Sequence, residues 1–409
     1  MNYDIYYCSS QKQVKIPEEL FSKFGVNSVH IPQINDPEVD RVIDYVNPNI
    51  VIYDRFITEE QFNWRIRERC PDAVTFIDTQ DLHFLRHIRE HLKNNGSSIT
   101  ETKNFQISLN NTPDHLMNGV LRELSSMHRT DATIVSSSFE RDYLIHNFNF
   151  PAEKIIHAPF FYSLHQRRLD FNLSKRKDFV VIGNFSHLPN KDALLWLKQS
   201  IWSKIRDYIP NAKLHVYGAN PTKEDMELTD ESESFYVKGP IKEDKLFLTL
   251  SKYRVNLAPL RFGAGIKGKV VDNWIAGTPT VTTSIGSEGM DDDGTWGGLI
   301  ANTEDGFVEA ATTLYLEPKI WKECQNDGFR LLNDLFEKKM NENNLQNDMN
   351  RIIRDAKSMK NRDWIKSILF MNSNNYMKEL SKKIEIKEAL TKKIQNLKSQ
   401  NGREDNISD

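Results

Sequence analysis

Short apolar or β-branched runs recur through the first part of the chain: Asp4–Cys8, Ser28–Ile31, Ile50–Tyr53, Val74–Ile77, Ala132–Val135 and Lys154–Ala158. Runs this short and continuous are the pattern of strands buried on both faces of a parallel sheet. Between them, Pro37–Val46, Glu59–Arg69 and Met117–His128 carry helical patterns. Strands alternating with helices predict an α/β domain with both sheet faces covered. Lys93–Pro113, with KNNGSS and LNNT, is polar and predicts an exposed or partly disordered loop.

The polar, basic stretch Ser163–Asp178 is the candidate linker to a second α/β set. That set reads as strand Phe179–Ile182, helix Asp192–Tyr208, strands Leu214–Tyr217 and Phe235–Val237, helix Glu243–Ser251, strand Val255–Leu260, helix Lys269–Ala276 and strand Thr280–Thr283. Val308–Leu316 and Ile320–Phe336 predict closing helices, with Pro318 at the start of the second. Beyond Glu337 the chain is rich in Asn and Lys. Met349–Ala356 and Trp364–Met371 are weakly amphipathic, Met377–Leu397 predicts an exposed helix, and NGREDNISD predicts a disordered end. The expected organisation is two Rossmann-like domains, residues 1–165 and 166–316, followed by C-terminal helices over 317–409.

A length of 409 residues suffices for two full cores. A net charge of -3 gives no reason to expect nucleic acid as a partner. Cys8, Cys70 and Cys324 are far apart and odd in number, so neither a disulfide framework nor a CxxC metal site is indicated. The N-terminus has no basic run before an apolar core, and no apolar run is long enough to span a bilayer. A soluble, cytoplasmic protein is expected. The C-terminal helices mix Glu with Lys, which favours a solvated surface over a weak membrane or protein contact.

The chemistry concentrates in Val255–Gly289. A buried strand runs into a loop with Gly263, Gly265 and Gly268, then into a helix stopped by Gly277 and Pro279. Backbone N–H groups at such a helix start attract anions, and Arg261, Lys267 and Lys269 add charge, so a phosphate or diphosphate is the expected ligand. Gly263–Gly268 also reads as GxGxxG, with Glu288 near the distance of a ribose-binding acid, although that acid does not close the second strand. The same residues read as GxxxxGK, but Val270 stands where a P-loop needs Ser or Thr. A plain glycine-rich turn is the remaining reading.

Pro259-Leu260-Arg261-Phe262-Gly263-Ala264-Gly265-Ile266-Lys267-Gly268-Lys269, with Gly277-Thr278-Pro279 and Glu288-Gly289, resembles the donor-binding region of glycosyltransferase family 4. The resemblance covers about Asp178–Leu316 and, more loosely, the first domain. It implies the GT-B fold, two Rossmann-like domains facing a cleft, and transfer of a sugar from a UDP- or GDP-linked nucleotide-sugar to a saccharide, lipid-linked or protein acceptor, with retention. It implies no cofactor beyond the donor substrate. Many members carry two glutamates eight positions apart. Here Asp272 holds the second place, keeping a donor-ribose role, and Ala264 the first, so the sugar-contacting glutamate is missing. Gly183, Asn184, Gly263, Gly265, Lys267 and Glu288 complete the implied donor side, and the chain is expected to recross to the first domain near Ile320–Phe336 or Asp363–Met377.

After strand Val74–Ile77 comes a polar cluster, Asp78-Thr79-Gln80-Asp81-Leu82-His83-Phe84-Leu85-Arg86. It reads either as a site at a strand's carboxyl end or as a helix start capped by Asp78 or Asp81. In the family a first-domain loop holds the acceptor, which puts Asp78, Gln80 and Arg86 on the acceptor side and makes Asp81 or His83 the group that orients or deprotonates the acceptor hydroxyl. Arg261, Lys267 and the helix start would stabilise the departing diphosphate, so no essential metal is expected. The acidic run Asp291–Asp293 reads as a solvated loop. Two other functions fit parts of the sequence: a non-catalytic nucleotide-sugar-binding protein, suggested by Ala264, and an NAD-dependent oxidoreductase, suggested by GxGxxG alone.

Overall fold

The computed structural model describes residues 3–9, 21, 23–31, 37–162, 171–291, 294–360 and 363–371, and at 379, 382, 383, 386, 387, 389–391 and 393. Most of the linker, most of the Met377–Leu397 helix, the C-terminal end and part of the acidic run lie outside the described residues. Twelve strands are described: β1 (Ile5–Ser9), β2 (Val26–His30), β3 (Ile50–Asp54), β4 (Val74–Asp78), β5 (Ala132–Val135), β6 (Ile155–His157), β7 (Lys177–Ile182), β8 (Leu214–Tyr217), β9 (Phe235–Gly239), β10 (Tyr253–Ala258), β11 (Thr280–Thr282) and β12 (Gly298–Ile300). The chain divides into two compact units. The first is Met1–Asp78 with Leu124–Thr133 and Ile352–Asp409, and the second is Thr79–Glu123 with Ile134–Arg351.

In the first unit β1 pairs with β2 and β3 with β4, both in parallel. Several of its buried charges are paired. Asp131 accepts from Thr75 N at 2.8 Å and lies 3.3 Å from Arg67, and Lys366 closes an ion pair on its other oxygen. Arg129 grips Glu59 through two bonds of 2.9 and 2.6 Å. Lys366 belongs to the helix over 364–371, which this ion pair ties to the first unit.

The second unit is built on a six-stranded parallel sheet in the order β12-β11-β10-β7-β8-β9. Successive residues of β7 point to opposite faces: Phe179 and Val181 join Trp202 and Phe307, while Val180 and Ile182 join Leu250 and Ala276. Both faces being covered, the strand must be apolar throughout, which is the pattern visible in its sequence. The helical segment after β7 starts at Leu188, earlier than expected, because Pro189 is favourable in a first turn. It contains a wide π turn at Leu197–Ile201 that lets Trp196, Leu197, Ile201 and Trp202 all turn inward.

The expected loop at Lys93–Pro113 contains a helix, Ile99–Asn104. Its start is a reciprocal capping box in which Ser98 and Glu101 satisfy each other's backbone N–H groups. The closing helices are longer than their apolar cores, Glu304–Leu316 and Pro318–Phe336, and Lys338–Lys360 follows.

Candidate functional site

β8 and β9 extend the sheet from one side of β7, and β10 to β12 extend it from the other. The loops after β7 and β10 therefore diverge to opposite faces and leave a crevice at the strands' carboxyl ends, where open α/β sheets bind ligands. An open recess lies there, lined among others by Ile182, Gly183, Phe185, Asn190, Ala258 and Lys269. Its floor depends on Gly218, where a Cβ would fall 1.9 Å from Gly183 O.

The three cations of the β10 loop have separate fates. Arg261 is held by Asp192 through bonds of 2.9 and 2.6 Å, and Lys93 lies 2.5 Å from the same carboxylate. Lys267 folds back on its own loop, donating to Gly265 O at 2.6 Å and Ala264 O at 3.3 Å. Lys269 lines the recess and donates to the neutral Asn190 Oδ1 at 2.8 Å. Burial, and then repulsion from Lys267, push its ammonium down to about 7. No carboxylate lies within ion-pair distance of it among the described residues.

The arch Gly263–Gly265 is fixed by buried charge. Arg89 donates to Gly263 O at 2.9 Å and to both oxygens of Glu288 at 2.6 and 2.8 Å. Glu140 accepts from Gly265 N at 2.7 Å and Leu82 N at 3.0 Å. Gly265 has φ +67°, and a Cβ there would meet Asp81 Cβ at 2.8 Å, so only glycine fits. The loop after β4 and the loop after β10 are thus in direct contact at Asp81 and Gly265.

Asp81 is presented by a tight three-residue turn in which its N–H bonds Thr79 O at 2.7 Å and Gln80 takes φ +61°. Its carboxylate lies 3.2 Å from His83 Nε2 and accepts from Arg86 at 2.5 Å. Neither Asp78 nor Asp81 caps the helix His83–Asn94. That role falls to Glu123, which accepts from His83 N and Phe84 N at 3.1 and 2.9 Å. Burial pushes the Glu123 carboxyl up to about 8 and that of Glu140 up to about 7.

Asp78 ends β4 in the first unit. Asn184 turns its side chain to Ser186 N and Asn220. Asp272 is half-buried on the helix Gly268–Ile275, and desolvation, with no cation to oppose it, pushes its carboxyl up to about 6. Glu288 is buried against Arg89, so it is not open to a ribose hydroxyl, and the dinucleotide pattern loses its acid. The sequence did not single out Arg89, Glu123, Glu140, Asn190 or Asp192 as site residues, nor His187, whose charged neighbours are Arg86, Asp81, Lys269 and Lys267. Closeness to the end of strand β7 was the one available signal for Asn190 and His187. Among the described residues no group of three or more His, Cys, Asp or Glu side chains is arranged to hold a metal, and no helix is long and apolar enough to cross a membrane.

Residues 176–317 match the family model described as glycosyl transferases group 1. No curated protein matches the chain by sequence. Sucrose-phosphate synthase from Thermosynechococcus elongatus is 14% identical with a TM-score of 0.59, covering 86% of this chain and 82% of that one. HepE from Anabaena, solved with UDP and glucose, is 9% identical with a TM-score of 0.56, covering 82% and 88%. A mutant of TarM from S. aureus, solved with fondaparinux, alpha-GlcNAc-glycerol and UDP, is 13% identical with a TM-score of 0.57 over 76% of this chain. The chain spans only 58% of TarM's length. These likenesses show the fold, the parallel α/β architecture of GT-B glycosyltransferases followed by C-terminal helices.

Proposed function

We propose that this protein is a glycosyltransferase that moves a sugar from a UDP- or GDP-linked donor to an acceptor hydroxyl, with retention and without an essential metal. One observation carries the reading. A half-buried ammonium, Lys269, lines the recess at the strand-order reversal, and among the described residues its side-chain partner is a neutral amide. A desolvated cation without a counter-ion is costly, and an arriving diphosphate relieves that cost. The group 1 match over 176–317 and the UDP in the structures of HepE and TarM favour a nucleotide-sugar as the source of that diphosphate.

Breaking the bond between the anomeric carbon and the diphosphate oxygen builds positive charge on the sugar and negative charge on the leaving group. Lys269 and the N-terminus of the helix Gly268–Ile275 stabilise the latter, an electrostatic role that needs no proton transfer. Lys267 and Arg261 contribute at longer range, their charges being already engaged by loop carbonyls and Asp192. Asp272, half-buried and in no ion pair among the described residues, accepts from donor ribose hydroxyls. Asp81 or His83 orients the acceptor hydroxyl, which forms the new bond to the anomeric carbon as its proton passes to the departing phosphate. Residues 1–165 thereby supply the acceptor side and 166–316 the donor side, with a saccharide, lipid-linked or protein acceptor.

A thermal-shift screen of UDP- and GDP-sugars tests the donor class. A ligand at about a hundred times its Kd stabilises by roughly 2.7 kcal/mol. A shift with NAD and none with any nucleotide-sugar would favour the oxidoreductase reading, and a shift without any turnover would favour a binding protein.

A further inference from the structure

Four charged side chains, Arg89, Glu288, Glu140 and Lys267, are buried around the arch Gly263–Gly265. Arg89 is 1% exposed and lies in the middle of the helix His83–Asn94, far in sequence from the loop it grips. Burying ions this deeply costs stability unless each is paired and hydrogen-bonded, and apolar residues of similar volume commonly serve a core as well or better. Here every one of the four also holds or flanks a loop peptide group. Gly263 O is taken by Arg89, Gly265 N by Glu140, and Gly265 O by Lys267, while Glu288 keeps the Arg89 fork flat against the loop. Glycines at φ +145° and +67° have wide backbone freedom, so the arch has no conformation of its own to fall back on.

We propose that Arg89 is a positioning residue: its Glu288-braced guanidinium, acting on Gly263 O, holds the arch in the conformation that receives the donor diphosphate. This rests on the reading of the recess as a nucleoside-diphosphate site. Glu288 is on this account the brace of Arg89 and makes no contact with donor hydroxyls. The helix carrying Arg89 also carries His83 and Arg86, so the group that fixes the anion loop and two of the groups assigned to the acceptor share one rigid element.

The test separates positioning from mere charge balance. In the double variant Arg89→Met/Glu288→Leu both charges leave together, which preserves folding if the pair is only a core element, but Gly263 O has lost its donor. Two quantities are read beside the unfolding curve: hydrogen exchange of the segment 261–268 in the free protein, and Kd for UDP and GDP against uridine and guanosine. The expected result is cooperative unfolding, faster exchange in that segment, and diphosphate Kd raised by about tenfold or more with nucleoside Kd unchanged. Wild-type exchange and wild-type diphosphate Kd in the double variant would overturn the proposal. Should that variant fail to fold, Arg89→Lys, which keeps the charge and loses the fork, is read in the same two ways, with the same results expected and the same result overturning. A wild-type protein that binds neither diphosphate would instead overturn the reading of the recess and the proposal with it.

Discussion

Replacing Lys269 with Gln should weaken nucleoside-diphosphate binding more than any comparable change at Lys267 or Arg261. The ammonium lies in the recess, its acceptor among the described residues is the Asn190 amide at 2.8 Å, and burial and Lys267 hold it down at about 7. A bound diphosphate supplies the missing counter-charge, and a hydrogen bond to a charged group contributes roughly 1.5–3 kcal/mol, or about 10- to 100-fold in Kd. The pH dependence has a definite sign. The anion raises the Lys269 pKa, so its contribution is fully present below the free-state value near 7 and is lost as pH rises from there through the bound-state pKa. The assay is isothermal titration of UDP and GDP between about pH 6 and 9. Taking the ratio of wild-type to Lys269→Gln affinities cancels the ligand's own titration and leaves the lysine's. That ratio should be largest at acid pH and shrink upward. A ratio near one throughout, or one that grows with pH, would refute the placement of the diphosphate at Lys269.

Three further outcomes follow from the charges described. Asp131→Asn should destabilise the first unit by about 3–5 kcal/mol in chemical denaturation, because it removes the buried anion that the Lys366 ammonium and the Arg67 guanidinium share. Although burial opposes it, Lys366 and Arg67 hold the Asp131 carboxyl down to about 2, so its stabilisation is complete above pH 4 and is lost as pH falls toward 2. Glu123 has the opposite sign: burial raises its carboxyl to about 8, so its contribution is greatest in acid and fades as pH rises through that value, and Glu123→Gln should flatten the Tm profile between about pH 5 and 8. Sugar transfer should survive EDTA, and complete loss restored by manganese would show that a metal carries the leaving-group charge.

Much of the architecture was legible because buried parallel strands are apolar on both faces: β3, β4, β5, β7, β8 and β10 each show as a continuous run. The short strand Gly298–Ile300 has too little sequence to signal itself, and the helix Ile99–Asn104 was hidden by a polar composition in which Ser98-x-x-Glu101 was the readable cue. At the site, the glycine loop and its helix start could be read locally. The direction of each lysine could not, since Lys267 and Lys269 are two residues apart and only the folded loop sends one to its own carbonyls and the other to the recess. Arg89 and Glu288 are 199 positions apart and Glu140 and Gly265 are 125 apart, so no local pattern could pair them. Glu288 was read as a ligand contact for that reason.

We propose that a nucleotide-sugar is split in this recess with its leaving charge carried by Lys269. Proton NMR of wild-type protein with a panel of UDP- and GDP-sugars, without acceptor, follows both the loss of donor and the configuration of the freed sugar before it equilibrates. Expected are slow consumption of at least one donor, release of nucleoside diphosphate, a sugar that first appears with the donor's anomeric configuration, and a rate lower by about 10- to 100-fold in Lys269→Gln. No consumption of any donor, or equal rates in the two proteins, would contradict it.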